Sequence, residues 1–191
     1  MEERIEGCTI YRDGSRSGVL VTNKDKYERP DKLDCAIHHT TSMGSKYTIL
    51  IGFKDDKPFE IFCIPANMAT NYKEGSLVKE GGGSYTLYCG DNEKFGVFKN
   101  ITDKMTPDQQ NLTRAWSLLL KSGVPVHKIV EQIEKTTDPI TGFSKAVARV
   151  LGSYIPDGTK SALSCIECGS KNVVFEEGCS KCLDCGSSAC G

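Results

Sequence analysis

The chain lacks long apolar runs and blocks of charge of one sign. Its N-terminal stretch, MEERIEGCTIYRDG, has no apolar core of a secretory signal, and no later segment is long and apolar enough to span a bilayer. Lysine and arginine total 24 against 25 acidic residues, for a formal net charge of -1. This balance argues against nucleic acid or a membrane surface as a partner. These absences predict a cytoplasmic protein.

Cysteine, in contrast, is abundant, with ten among 191 residues. In a reducing cytosol, paired cysteines indicate metal ligands or redox centres before structural disulfides. Four cysteines stand singly among apolar neighbours and are predicted to be buried core thiols: Cys8, Cys35, Cys63 and Cys89. His38 and His39 are adjacent on a predicted strand, so they point to opposite faces and cannot chelate one metal together.

The middle of the chain predicts strands followed by helices. KYTILIGF and FEIFCI are joined by KDDKP and form one hairpin, and SYTLYCG and FGVFKN form a second around GDNE. The glycine-rich GSLVKEGGGS between the hairpins is predicted to be a flexible loop, because it lacks the ending of a phosphate-binding loop. Thr106 and Pro107 predict the start of a helix.

Three apolar stripes predict three amphipathic helices. They comprise Leu112, Ala115, Trp116 and Leu119; then Val126, Ile129, Val130 and Ile133; then Phe143, Val147, Val150, Leu151 and Tyr154. The predicted fold class is α+β, with antiparallel hairpins, three helices and a small C-terminal zinc ribbon. The predicted divisions are a strand and arm over 1–30, an α+β domain over 31–158 and a cysteine-rich tail over 159–191, joined by the linker IPDGTKSALS.

The tail holds two Cys-x-x-Cys-Gly hooks with the spacing of zinc-ribbon knuckles. They predict the metal ligands Cys165, Cys168, Cys182 and Cys185. Paired knuckles suit one mononuclear zinc ion better than an iron–sulfur cluster. The ribbon is too small to fold by burial alone, so the metal is expected to contribute about 10 kcal/mol or more to its folding.

Two further cysteines of the tail, Cys179 and Cys190, are not needed by a four-ligand site. They could be idle thiols or form a local disulfide. In a second assignment, Cys179 and Cys182 form the second hook, which leaves Cys185 and Cys190 over. The Cys-Gly signature favours Cys182 and Cys185 as the ligands.

Several stretches together resemble the C-terminal region of adenosylcobalamin-dependent (class II) ribonucleotide reductases. They are GCTIYRDGSRSGVLV at 7–21, RPDKLDCAIHHTTSMGSKYTILIGFKDDKPFEIF at 29–62, FSKAVARVLGSYIPDG at 143–158 and the cysteine-rich tail. The resemblance covers nearly the whole chain. One departure is ITGFSK, where the accessory domain of this family often has Thr-Ser-Cys-Pro-Asp.

The resemblance implies part of a ribonucleoside-diphosphate reductase, an oxidoreductase that makes deoxyribonucleotides. It implies adenosylcobalamin for the parent enzyme but not on this chain, which has no catalytic barrel and is expected to be a fragment or a split-gene product, inactive alone. It also implies that Cys179 and Cys190, or alternatively Cys185 and Cys190, relay electrons from a thioredoxin-like reductant to a disulfide in the barrel.

Two other interpretations remain open. The chain could be a free-standing zinc-ribbon module that binds a protein, or a degenerate remnant without activity. The ribbon carries Lys171 and Lys181 against the acidic residues Glu167, Glu176, Glu177 and Asp184, and this net negative charge argues against nucleic acid.

Overall fold

A computed structural model describes residues 28–90, 95–135 and 142–188. The predicted strand and arm of 1–30 lie outside the described residues except for 28–30, as do Cys8 and Cys190. The fold is α+β, as predicted: an antiparallel sheet, three α-helices and a small cysteine-rich hairpin. None of the helices in the described ranges has both the length and the apolar character needed to cross a membrane.

The main sheet has six antiparallel strands in the order β3-β2-β1-β4-β5-β6. Their bounds are Lys32–Ser42 (β1), Ser45–Lys54 (β2), Lys57–Ile64 (β3), Glu74–Gly81 (β4), Ser84–Gly90 (β5) and Phe95–Phe98 (β6). The predicted turn between β2 and β3 is present, with Asp55 and Asp56 at φ 51° and 58°. Both aspartates therefore adopt the left-handed conformation that a two-residue hairpin turn requires.

The sheet is strongly curved. The rings of Phe62 on β3 and Tyr85 on β5 lie 4.8 Å apart, although three strands separate β3 from β5 in the sheet. The concave face holds apolar side chains that are almost completely buried, among them Leu33, Leu77 and Leu87, which are paired across β1, β4 and β5. These side chains belong to the main core.

The prediction of a flexible loop for GSLVKEGGGS was wrong, because most of this segment is strand β4. It pairs with β1 on one side and β5 on the other. Only Gly82 and Gly83 form the turn to β5, with φ of 58° and 84°. Within this strand Gly75 must be small, because a Cβ there would lie 2.4 Å from the carbonyl oxygen of Tyr88.

The first helix, α1 (Pro107–Lys121), starts as predicted, with Thr106 in a capping box with Gln109. Its predicted stripe was partly wrong. The buried residues are Thr113, Trp116, Ser117 and Leu120, whereas Leu119 is 39% exposed. The reason is that α1 covers the edge of β3, where the Ser117 hydroxyl accepts a hydrogen bond from the amide of Ile61 at 2.9 Å. This polar side chain is buried because it supplies a hydrogen-bond partner for a backbone amide of the edge strand.

The other two helices, α2 (Val126–Glu134) and α3 (Gly142–Gly152), pack against each other, and α3 also contacts β1 and β2. Their predicted apolar stripes are confirmed, with Ile129, Val130 and Leu151 at most 1% exposed. After α3, Tyr154 contacts the rings of His38 and Phe53, which fixes the helices on the sheet.

Candidate metal centre and tail

The two predicted knuckles have matching backbone conformations. The amide of Gly169 donates to the carbonyl of Cys165 at 2.9 Å, and the amide of Gly186 donates to that of Cys182 at 3.0 Å. Both glycines have positive φ, 73° and 78°, a conformation that side chains disfavour. Each Cys-x-x-Cys-Gly motif therefore makes one tight turn that brings its two sulfurs to the same side.

The four sulfur atoms of the knuckles converge. The Sγ atoms of Cys165, Cys168, Cys182 and Cys185 all lie within 4.8 Å of one another. The Sγ–Sγ distance is 3.6 Å between Cys165 and Cys185 and 3.7 Å between Cys168 and Cys182. A tetrahedral zinc with Zn–S bonds of about 2.3 Å separates its sulfurs by about 3.8 Å. The donor set and its spacing therefore fit one metal ion and are consistent with zinc.

Ser187 supports the sulfur cluster from the second knuckle. Its Oγ lies 3.1 Å from the Sγ of Cys165 and 3.3 Å from that of Cys185. The hydrogen bond with Ser187 is the largest of the interactions that lower the pKa of Cys165, to about 6. Because the thiolate is the form that binds metal, this hydroxyl favours the ligating state of the sulfur.

Asp184 joins the second knuckle to the first. Its carboxylate accepts hydrogen bonds from the Ser170 hydroxyl and from the Asn172 side-chain amide, the latter at 2.8 Å. These two hydrogen bonds, that of Ser170 first, lower the pKa of Asp184. The backbone adds a further link, because the amide of Leu183 donates to the carbonyl of Asn172 at 2.9 Å.

Cys179 lies outside the sulfur cluster. It begins β8 (Cys179–Cys182), which pairs with β7 (Val173–Glu176) in the predicted hairpin of the ribbon. Cys179 is disulfide-bonded, whereas the seven other cysteines in the described ranges are free. Its partner is therefore not among them. Cys190, the second cysteine of the predicted relay, lies outside the described residues.

The ribbon packs on the α+β domain. Phe175 of β7 is fully buried and belongs to the main core. The predicted linker also differs from expectation, because part of it runs beside β7. The amide of Phe175 donates to the carbonyl of Thr159 at 2.8 Å, and Lys160 forms a bridge with Val174. The linker is thus tied to β7 by backbone hydrogen bonds and one bridge, beside the two-stranded hairpin.

Two carboxylates of α2 hold the ribbon and its linker. Glu131, which is 1% exposed, accepts a hydrogen bond from the amide of Ala162 at 2.8 Å. Glu134 accepts one from the hydroxyl of Ser180 at 3.1 Å. Neither residue was predicted from the sequence. Their i, i+3 spacing on an amphipathic helix looks like an ordinary exposed face, and only the apolar surroundings of Glu131 could have suggested otherwise.

The isolated cysteines in the described ranges are core residues, as predicted. Burial raises the pKa of Cys63 to about 12 and that of Cys89 to about 11, and it also raises that of Cys35. These thiols therefore stay protonated and unreactive at neutral pH. The two adjacent histidines also do not form a metal site. His38 shares a hydrogen bond with the Tyr154 hydroxyl at 2.6 Å, and His39 contacts Thr48.

Residues 33–156 match the protein family described as NrdJ homologue C-terminal domain. The matched range contains the curved sheet and the three helices, and it ends before the sulfur cluster. No curated protein and no solved structure matches the chain. Because the match covers more than half of the chain and supports the resemblance seen in the sequence, the chain belongs to the NrdJ homologue C-terminal domain family, which corresponds to the C-terminal region of class II ribonucleotide reductases.

Proposed function

We propose that this chain is an accessory part of a ribonucleotide reductase and that its ribbon binds one structural zinc ion. Family membership supports association with a reductase. The convergence of four thiols within 4.8 Å supports the zinc. The ligands would be Cys165, Cys168, Cys182 and Cys185, a closed set of four thiolates with no open position for a substrate. Such a zinc holds the ribbon folded and takes no part in redox chemistry.

We further propose that Cys179 and Cys190 form the redox pair of the tail. In the reduced state, the dithiol gives two electrons and two protons to a disulfide in the reductase barrel and becomes a disulfide itself. A dithiol protein of the thioredoxin class then reduces this disulfide and is oxidised in turn. The observation that carries the proposal is that Cys179 lies apart from the sulfur cluster and is disulfide-bonded.

The position of Cys179 suggests that the two cysteines of the pair have different roles. It directly precedes Ser180, whose hydroxyl is bound by Glu134, and directly follows Gly178, which packs on the end of α3. Cys179 is thus fixed on the body of the protein. Cys190, the other member of the proposed pair, would then be the thiol that enters the barrel.

Reconstitution with a separately supplied reductase barrel tests the relay. We expect Cys190→Ser to abolish repeated turnover with thioredoxin while activity with a small dithiol is kept, because a small dithiol can enter the barrel unaided. Ala189→Ser is the matched control, since it changes the neighbouring residue and leaves the thiol intact. Normal cycling of Cys190→Ser with thioredoxin would refute the relay.

The alternative redox pair, Cys185 and Cys190, predicts a different zinc content for the Cys179→Ser variant. If Cys179 and Cys182 formed the second metal hook, Cys179→Ser would lose zinc. In our proposal Cys179→Ser keeps its zinc and loses only turnover with thioredoxin. Metal content and turnover measured on the same variant therefore separate the two assignments.

A protein-binding zinc ribbon is the second candidate, and one observation favours it. The residue after the first cysteine of each knuckle is apolar and exposed: Ile166 is 93% exposed and Leu183 is 56% exposed. Paired apolar side chains of this kind can anchor a protein partner. A chain that does not bind the barrel, yet binds another protein through these residues, would favour this candidate. The double variant Ile166→Ser/Leu183→Ser, checked for full zinc content, is the control.

A further inference from the structure

A second site lies at the opposite side of the sheet from α3. It is a cavity of about 300 Å³ where the curved sheet stays open between β3 and β5. A short 3-10 helix (Ile101–Lys104) contacts both strands there, and α1 lies against β3. The walls of the cavity come from Glu60, Tyr85, Thr113, Arg114 and Lys121, among others. This volume is at the lower end of the range for small-molecule sites. The reductase proposal makes no use of it.

The cavity has more positive than negative charge. The Glu60 side chain is 2% exposed, and its carboxylate binds both Arg29, at 2.8 Å, and Lys121, at 2.5 Å. Lys121 and Arg114 line the cavity, whereas Arg29 binds Glu60 from outside the lining. The lining therefore holds two cations and one carboxylate, so that one positive charge of the wall is not balanced by a lining residue.

Two polar groups of the wall have unused hydrogen-bonding capacity. Within residues 28–90, 95–135 and 142–188, neither the Arg114 guanidinium nor the Tyr85 hydroxyl has a hydrogen-bond or ion-pair partner. Burial first, and then the Glu60 carboxylate, raise the pKa of Tyr85, and the guanidinium groups of Arg29 and Arg114 oppose the rise. The neutral hydroxyl is therefore available as a donor.

The Tyr85 ring is held in place. Phe62 packs against it at a centroid distance of 4.8 Å, and the Arg29 guanidinium lies over it at 5.0 Å. Arg29 is in turn fixed by Glu60 and by the carbonyl of Leu77, at 3.1 Å. A donor held by such contacts needs little reordering when a ligand binds, which favours binding.

We propose that this cavity binds the phosphate group of a small ligand. Arg114 would contact two phosphate oxygens with its planar fork of N–H donors, Lys121 would use the N–H groups that Glu60 leaves free, and Tyr85 would donate one hydrogen bond. A phosphate group offers three or four oxygens to these donors, whereas a carboxylate offers only two. The phosphate can be free or esterified, and the chemistry of the site is the same for both.

Titration calorimetry on the full zinc-loaded chain tests the proposal with inorganic phosphate and with glycerol phosphate. We expect Arg114→Gln to weaken binding about tenfold, as expected for a lost charged hydrogen bond. Tyr85→Phe should weaken it less and keeps the ring that packs on Phe62. Lys145→Gln is the matched control, because it removes one exposed positive charge from α3, outside the cavity. It should bind like the parent chain.

The two ligands also identify the source of the phosphate. Tighter binding of glycerol phosphate indicates an esterified ligand, and equal or tighter binding of inorganic phosphate indicates the free ion. The proposal is overturned if neither ligand binds, if acetate binds as tightly as phosphate, or if Lys145→Gln weakens binding as much as Arg114→Gln does. Thermal unfolding of each variant checks that the fold is intact.

Discussion

Gly178 in the hairpin turn of the ribbon lies directly against Gly152 at the end of α3. A Cβ atom on Gly152 would lie 2.1 Å from the carbonyl oxygen of Gly178, and one on Gly178 would lie 2.9 Å from the amide nitrogen of Ser153. Both contacts are between backbone atoms, which cannot rotate away as a side chain can. The ribbon is therefore fitted closely to the helix and is not suspended from a flexible linker.

Gly152→Ala should therefore destabilise the protein. Alanine in a helix is normally about 1 kcal/mol better than glycine. Here the overlap with Gly178 should outweigh this gain, because overpacking costs about 1–3 kcal/mol. Urea unfolding of the variant should show a lower free energy of unfolding, while Lys145→Ala, on the exposed face of the same helix, should change it little. A more stable Gly152→Ala chain would contradict the close contact.

Zinc binding should depend on the knuckle cysteines and not on Cys179. Metal analysis of Cys168→Ser should show loss of zinc, because three thiolates no longer close the tetrahedral site. Cys179→Ser should retain one zinc per chain, since Cys179 lies outside the sulfur cluster. Full zinc in both Cys168→Ser and Cys182→Ser would show that the ligand assignment is wrong.

Removing the metal should also weaken the α+β domain. Phe175 of the ribbon is fully buried in the main core, so unfolding of the ribbon exposes apolar surface on both sides of this contact. Loss of a phenylalanine from a core costs about 3–5 kcal/mol. Chelation should therefore lower the midpoint of unfolding of the helices, followed by circular dichroism. The division into 31–158 and 159–191 stays a prediction, and an unchanged midpoint would show that the two parts are energetically separate.

The features that could be predicted from the sequence are those that depend on residues close together in the chain. The Asp55–Asp56 turn, the Thr106 cap and the knuckle spacing are each encoded by neighbouring residues. Strand β4 was missed because its only fully buried side chain is Leu77, and the rest of its pattern is set by neighbouring strands. The sequence of a ten-residue segment does not show which strands will pair with it.

The packing of the ribbon was missed for the same physical reason. Phe175 looks like a residue of a small isolated hairpin, and Glu131 looks like a solvated helix residue. Each is buried only because segments distant in sequence meet, as in the hydrogen bond from Ala162 to Glu131 across 31 positions. Such contacts depend on the assembled fold and leave little trace in local periodicity.

The buried carboxylate Glu60 should be important for stability. It pairs with Arg29 and Lys121, and its own side chain is 2% exposed. Glu60→Ala would leave two partly buried cations without their partner, and breaking a buried pair in this way costs about 3–5 kcal/mol. Glu176→Ala removes a pair with Lys181 in which both side chains are exposed, so it should lower the free energy of unfolding far less. Urea unfolding of both variants measures the contrast, and equal losses would contradict it.

Glu134 should make stability depend on pH. Burial raises its pKa above the ordinary value of 4.5, and the nearby Glu131 adds to the rise, while the hydrogen bond from Ser180 opposes it. A raised pKa means that the folded protein holds this proton more tightly than the unfolded chain does. The contribution to stability is therefore present below pH 4.5 and is lost as the pH rises through the folded-state pKa.

The variant Glu134→Gln tests the direction of this pH dependence of stability. Glutamine stays neutral and can still accept the hydrogen bond from Ser180, so the variant should be more stable than the parent chain at neutral pH. Below pH 4.5, where the glutamate is protonated in both states, the difference between the two proteins should disappear. The measurement is urea unfolding of both proteins across this range, and taking the difference at each pH removes effects common to both, such as loss of metal. A difference that is constant with pH would contradict the prediction, because only ionisation of Glu134 distinguishes the two chains.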